Sequence, residues 1–428
     1  MASERPLGFR ELLALGLNSV VGSSIFLFPA QLAGLLGPAA WVSFGAVGAG
    51  LILVGLCFAE ASSRFERPGG AYLYARAAFG DAVGFGVGWL SWASYVFGIA
   101  AVATGISAYL GYFSPALGSA GAAKAVAAAS ILAFGALNYR GVVLGARASN
   151  VFTVAKLLPL LALALFGLPR IEWARLWPMA PARWEGLGPA CFLAYFALQG
   201  FEAVPVPSGE AANPKRDVPW AVTLSLVLAS LLYMALQAVA TSAVGPLAAS
   251  QRPLADAAIS LFGPVGAGLI ALTAAFSMTG YVASAALVGP RYLSALAEDG
   301  HLPASLAEPH PRYAVPFRAI AVTTALSFAS VLFFDFRRLV DFSNVAVCAQ
   351  YLSTCAAVPV LRQRDAAGAW RLPGGWLVPA AGIAATLALG LQSSLTECGV
   401  SAALLAAGFA LRKRCAKSGI REPAFQRA

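Results

Sequence analysis

Leu17-Asn18-Ser19-Val20-Val21-Gly22-Ser23-Ser24-Ile25-Phe26-Leu27-Phe28-Pro29 sits in the middle of an apolar segment that runs from about Phe9 to Leu36. A segment of that length can cross a bilayer as a helix. Its centre, however, holds Gly22, Ser23 and Ser24, three poor helix formers in succession. One reading is a helix interrupted at membrane depth. Unpaired backbone is too costly in lipid, so such a break must face protein or a water-filled cavity. Transporters build substrate sites from broken helices of this kind. The competing reading is close packing, because small residues also mark helix contacts in membranes.

Composition gives the class. Hydrophobic residues make up 59% of the 428 and charged residues 11%. A soluble domain carries roughly 25% charged residues, so the expectation is an all-α membrane protein. No pattern of basic, apolar and cleavage regions precedes the first span, and no removable signal is expected. The net charge is +10, but the basic residues are spread over many short loops, which argues against nucleic acid as a partner. Cys57, Cys191, Cys348, Cys355, Cys398 and Cys415 form no C-x-x-C pair and fall mostly in apolar runs. They read as small hydrophobes, with no metal site or cofactor expected. His301 and His310 share one polar loop, leaving no histidine within a span.

About twelve apolar segments are long enough to span: 9–36, 39–62, 82–112, 123–139, 149–168, 188–207, 219–244, 265–296, 317–334, 339–361, 377–395 and 397–411. A short polar patch at Glu397 separates the last two. With the N-terminus inside, the inner stretches hold 21 Lys and Arg and the outer ones seven. The positive-inside rule therefore places both termini in the cytoplasm.

Three further stretches carry information. Pro68-Gly69-Gly70 after the second span breaks the chain and is followed by Tyr72 and Tyr74, which suits a tight turn or a short surface helix. Lys156 lies in the fifth span, roughly two turns from its inner end. It either snorkels to the interface or presents a buried ammonium to the bundle, the functional default for a charge at depth. The sixth span contains Tyr195-Phe196-Ala197-Leu198-Gln199-Gly200-Phe201-Glu202. Gly200 can end one half-helix and let another begin. Glu202 serves either as a cap on backbone amides or as a working carboxylate.

Taken together, four stretches resemble the amino acid–polyamine–organocation transporter superfamily. Gly22-Ser23-Ser24-Ile25-Phe26 with Pro29 is similar to its G-S-G-I-F…P. Pro68-Gly69-Gly70-Ala71-Tyr72-Leu73-Tyr74 resembles P-x-G-G-x-Y-x-Y. The stretch from Tyr195 to Glu202, followed by Asn213-Pro214-Lys215-Arg216-Asp217-Val218-Pro219, resembles F-F-A-F-x-G-F-E/D…N-P-x-R-x-x-P. Ala297-Glu298-Asp299-Gly300-His301-Leu302-Pro303 matches A-x-D-G-x-x-P. Their order and spacing cover nearly the whole chain. Ser24 stands where glycine is usual and Leu198 where an aromatic is common, and both bear on substrate size.

The resemblance implies a five-plus-five inverted repeat with discontinuous helices 1 and 6. Residues 1–361 would form the transport core, with repeats near 9–168 and 188–361. Residues 362–428 would add two peripheral helices and a tail. The polarity of the two breaks fits an amino acid. Free amides of Gly22, Ser23, Ser24 and Ile25 suit a carboxylate. Free carbonyls near Phe196, Ala197 and Gln199, with those of Val20 and Val21, suit an ammonium. By resemblance, Phe196 is an aromatic lid. Also by resemblance, Lys156 stands where sodium-driven relatives hold a cation, bonded to carbonyls around Leu17 and Val20 and to Ser284 on helix 8.

The expected function is secondary transport of neutral L-amino acids across the cytoplasmic membrane, coupled to protons through Lys156, with Glu202 a further coupling candidate. An obligate exchanger in which Lys156 is a permanent pin is the alternative, and a non-transporting sensor a more distant one. No Walker motif or nucleophile–base motif supports ATP-driven pumping or catalysis.

Overall fold

The computed structural model describes residues 7–65, 70–141, 146–176, 181–205, 211–364 and 370–417, with side chains further omitted at 146–154, 181–183 and 416–417. Pro68 and Gly69 lie outside the described residues. The described residues are helical, with no strand beyond a single bridge between Leu7 and Ala211. The helices are α1 (Phe9–Val20), α2 (Ser24–Leu36), α3 (Trp41–Ser62), α4 (Gly70–Phe79), α5 (Asp81–Leu110), α6 (Ala120–Tyr139), α7 (Ala146–Gly167), α8 (Leu187–Ala197), α9 (Pro214–Ala243), α10 (Pro253–Glu298), α11 (Phe317–Phe333), α12 (Phe336–Arg364), α13 (Leu377–Gly390) and α14 (Leu395–Lys417).

Among the described residues, seven helices are long and apolar enough to cross a membrane, and the bent pair α1 and α2 makes an eighth if taken as one span. The chain is a multi-pass membrane protein. The count is below the twelve expected partly because α11 and α13 are apolar but short, at 17 and 14 residues. The eighth expected span also differs. Its helix begins twelve residues earlier, at Pro253, and kinks at Gly263, whose φ of 66° lies in the left-handed region.

The chain divides into two units. The first comprises residues 1–80, 153–274 and 351–392. Within it α9 packs against α1 and α3, and α8 against α2 and α3. Small residues permit these approaches: a Cβ on Gly16 would meet Ser225, and one on Gly55 would meet Val222 at 2.6 Å. The short helix α4 is buried rather than on the surface, because Tyr74 packs against Phe58 and Phe65.

The second unit comprises residues 81–152, 275–350 and 393–428. There α5 packs on α6, α11 and α14. Polar side chains in its apolar helices bond across to neighbours. Trp92 donates to Thr323 Oγ1 at 3.0 Å, Trp89 to the Leu404 carbonyl at 2.8 Å, and Gln350 to Ser91 Oγ at 2.6 Å. The Asp299-Gly300-His301 motif closes α10. Gly300 takes φ 78°, its amide bonds Ala297 O, and His301 N bonds Leu296 O. That pairing is the Schellman arrangement, which a glycine permits and which satisfies carbonyls at a helix end.

Candidate functional site

Every residue of the candidate site except Ser284 belongs to the first unit. The break in the first apolar segment falls at Val21-Gly22-Ser23, where α1 and α2 meet at a bend of 50°. Val21 has φ −75° and ψ 83°, and Gly22 N bonds Val20 O at 2.8 Å, a three-residue inverse γ-turn. The chain thus leaves its helical course at Val21 and resumes it in a new direction. Beyond the turn, Phe26 N bonds Ser23 O, and the amides of Ser23, Ser24 and Ile25 open α2. The first amides of a helix have no partner within it.

Tyr233 of α9 holds this turn. It is fully buried, with its ring edge-on to Phe44 at 5.2 Å. Its hydroxyl donates to Val20 O at 3.0 Å and accepts from Gly22 N at 3.3 Å. The Val20 carbonyl therefore receives two hydrogen bonds, which fills its two lone pairs. Sequence reading did not single out Tyr233; a tyrosine inside the apolar run Leu231-Leu232-Tyr233-Met234 was the available signal.

The sixth segment breaks as well. Helix α8 ends at Ala197, Leu198 N closes it on Tyr195 O, and Gly200 takes φ 111° before a single 3-10 turn over Phe201–Ala203. Glu202 Oε2 accepts from Gly200 N at 2.9 Å and from the Tyr351 hydroxyl at 2.8 Å. The carboxylate thus acts as a cap on the break, shared with a tyrosine of α12. Phe58, Phe201 and Tyr351 form a ring cluster behind it, with centroids 5.2–5.8 Å apart. The ring of Phe196 lies edge-on to Phe28 of α2 at 6.0 Å.

The two breaks touch. A Cβ on Gly200 would lie 2.3 Å from Ser19 O. One residue before Ser19, the carbonyl of Asn18 accepts from Nζ of the buried Lys156 of α7 at 2.7 Å. The last carbonyls of α1 are thus divided among neighbours: Leu17 O takes Val21 N, Asn18 O takes Lys156, Ser19 O faces Gly200, and Val20 O takes Tyr233 and Gly22. The lysine's partner, Asn18, lies between Leu17 and Val20, whose own carbonyls accept from Val21 N and from Tyr233 and Gly22 N. Ser284 lies on α10 in the second unit, with an exposed side chain. Among the described residues no cluster of histidine, cysteine or carboxylate side chains could hold a metal, and none of the six cysteines is in a disulfide.

A family model described as amino acid permease matches residues 7–395. The chain belongs to the amino acid permease family. It falls within the amino acid–polyamine–organocation superfamily, and these permeases are transporters, not enzymes. The branched-chain amino acid permease BcaP of Bacillus subtilis is 26% identical over 396 residues, covering 88% of this chain and 85% of that one. A methylthioribose transporter of the same organism is 29% identical over 393 residues, again covering 88% and 85%. The human cationic amino acid transporter 4 is 28% identical over 381 residues, covering 84% of this permease and 60% of the relative. Three relatives thus carry three different substrate names.

Proposed function

We propose that this permease carries neutral L-amino acids across the cytoplasmic membrane as a proton-coupled symporter. The observation that carries the reading is the contact of the two breaks, with Gly200 seated on Ser19 O. It puts the unpaired first-turn amides of α2 and the last-turn carbonyls of α8 on adjoining segments. A zwitterion has a carboxylate for the first set and an ammonium for the second. The reading includes twelve spans, a five-plus-five inverted repeat and cytoplasmic termini, in line with the distribution of Lys and Arg.

A neutral substrate side chain follows from the state of Glu202. Its Oε2 already holds Gly200 N and Tyr351 OH, so this carboxylate has its own partners and is not reserved for a cationic side chain. Lys156 is the coupling group. Its protonated amine bonds α1 at Asn18, and loss of the proton weakens that hold and frees α1 to move. In an obligate exchanger the same bond would be a permanent pin. Thermal stabilisation in detergent tests the cradle: a neutral L-amino acid is expected to stabilise the protein, and its decarboxylated amine far less. Equal stabilisation by both would overturn the carboxylate site.

A further inference from the structure

Glu60 is fully buried at the last turn of α3, yet it plays no part in the substrate site just described. Its carboxylate is enclosed by donors. Arg362 of α12 grips it with Nε on Oε1 at 2.7 Å and a terminal nitrogen on Oε2 at 2.6 Å. Arg64 adds a bond to Oε1 at 3.1 Å and another to the Glu60 carbonyl at 2.7 Å. The amide of Leu372 donates to Oε2 at 2.9 Å, and Arg362 also reaches Gly375 O at 2.6 Å. One carboxylate therefore joins α3, α12 and the segment 370–375. The paired, planar geometry is specific to arginine.

The same two helices meet at a second place. Phe58, two residues before Glu60, packs edge-on to Tyr351 at 5.5 Å. Tyr351 and Arg362 are eleven residues apart, roughly 16 Å along α12 at 1.5 Å per residue. Contacts at two levels of α12, one on each side of Pro359, oppose its sliding along α3. Tyr351 is the residue whose hydroxyl holds Glu202, and Glu202 caps Gly200. A continuous set of bonds thus runs from Glu60 through Arg362 and α12 to the break after α8.

We propose that Glu60 is a positioning residue: through Arg362 it fixes the register of α12, so that Tyr351 holds the Glu202 cap and the 198–204 segment in place. The assignment rests on the transport reading only in supposing that this segment borders the substrate. Hydrogen exchange, which needs no transport, tests the structural half. Glu60→Gln keeps the shape but loses the paired grip. It should raise amide exchange across 198–204, as Tyr351→Phe should. Arg362→Lys, which keeps the charge and loses the paired geometry, should do the same and serves if Glu60→Gln fails to fold.

Uptake supplies the second readout as a double-mutant cycle. Tyr351→Phe should lower the rate by about tenfold, the scale of one lost hydrogen bond to a charged group. Adding Glu60→Gln to it should cost little more, because both act on one set of bonds. Faster exchange confined to 60–64 and 370–375, or full additivity in uptake, would overturn the assignment and leave Glu60 a local pin. A protein that failed to transport any amino acid would defeat the transport reading, while the exchange data would still decide the role of Glu60.

Discussion

Gly200 lies so close to Ser19 that a Cβ on it would sit 2.3 Å from the Ser19 carbonyl oxygen and 3.1 Å from Val20 N. The backbone after α8 thus rests directly on the last turn of α1. Glycine is required twice over, by this contact and by its φ of 111°. Gly200→Ala should therefore cost about 2–4 kcal/mol, combining left-handed strain with overpacking. The expected outcome is a lower melting temperature and loss of amino acid-dependent stabilisation. Gly121→Ala, at a helical position with nothing within 4 Å, is the control and should leave both unchanged.

The hydroxyl of Tyr233 bonds to both sides of the first break. Tyr233→Phe should leave the ring packed on Phe44 and remove both bonds. A loss of about 1–2 kcal/mol is expected. If that cost falls on the substrate-competent shape of the turn, the apparent affinity for amino acid drops roughly tenfold. Titrated thermal shift in detergent measures it. Unchanged affinity would show that the γ-turn at Val21 holds by itself.

Phe196 offers a cleaner separation of binding from folding. Its ring meets Phe28 across the two broken segments. Phe196→Ala should raise the KM for uptake several-fold, while protein yield and gel-filtration profile stay as in the parent. Unaltered kinetics would refute a lid role and leave the ring as packing between α8 and α2.

What could be read in the sequence was local. Gly22-Ser23-Ser24 and Gln199-Gly200 announce breaks because helix propensity and positive φ are properties of a few adjacent residues. Lys156 announced itself as a charge in an apolar run. The partners that make these features into a site are remote. Tyr233 meets Val20 across 213 positions, Tyr351 meets Glu202 across 149, and Arg362 meets Glu60 across 302. No periodicity reports such pairs, since each partner looks locally like an ordinary residue of an apolar helix or its end. The burial of α4 was not legible either: Tyr74 suits an interface equally well until Phe58 and Phe65 are brought against it.

In the proposed mechanism the bond from Lys156 to Asn18 is the point at which site and coupling meet, and uptake into empty proteoliposomes tests it most directly. Sodium is left out, the interior holds no amino acid, and a neutral L-amino acid is supplied outside with and without an inward-acid pH gradient. Gradient-stimulated uptake that Lys156→Met abolishes, with the variant still folded, is the predicted result. Uptake that demands internal amino acid and ignores the gradient would make the protein an exchanger, and uptake that requires sodium would contradict both roles for Lys156.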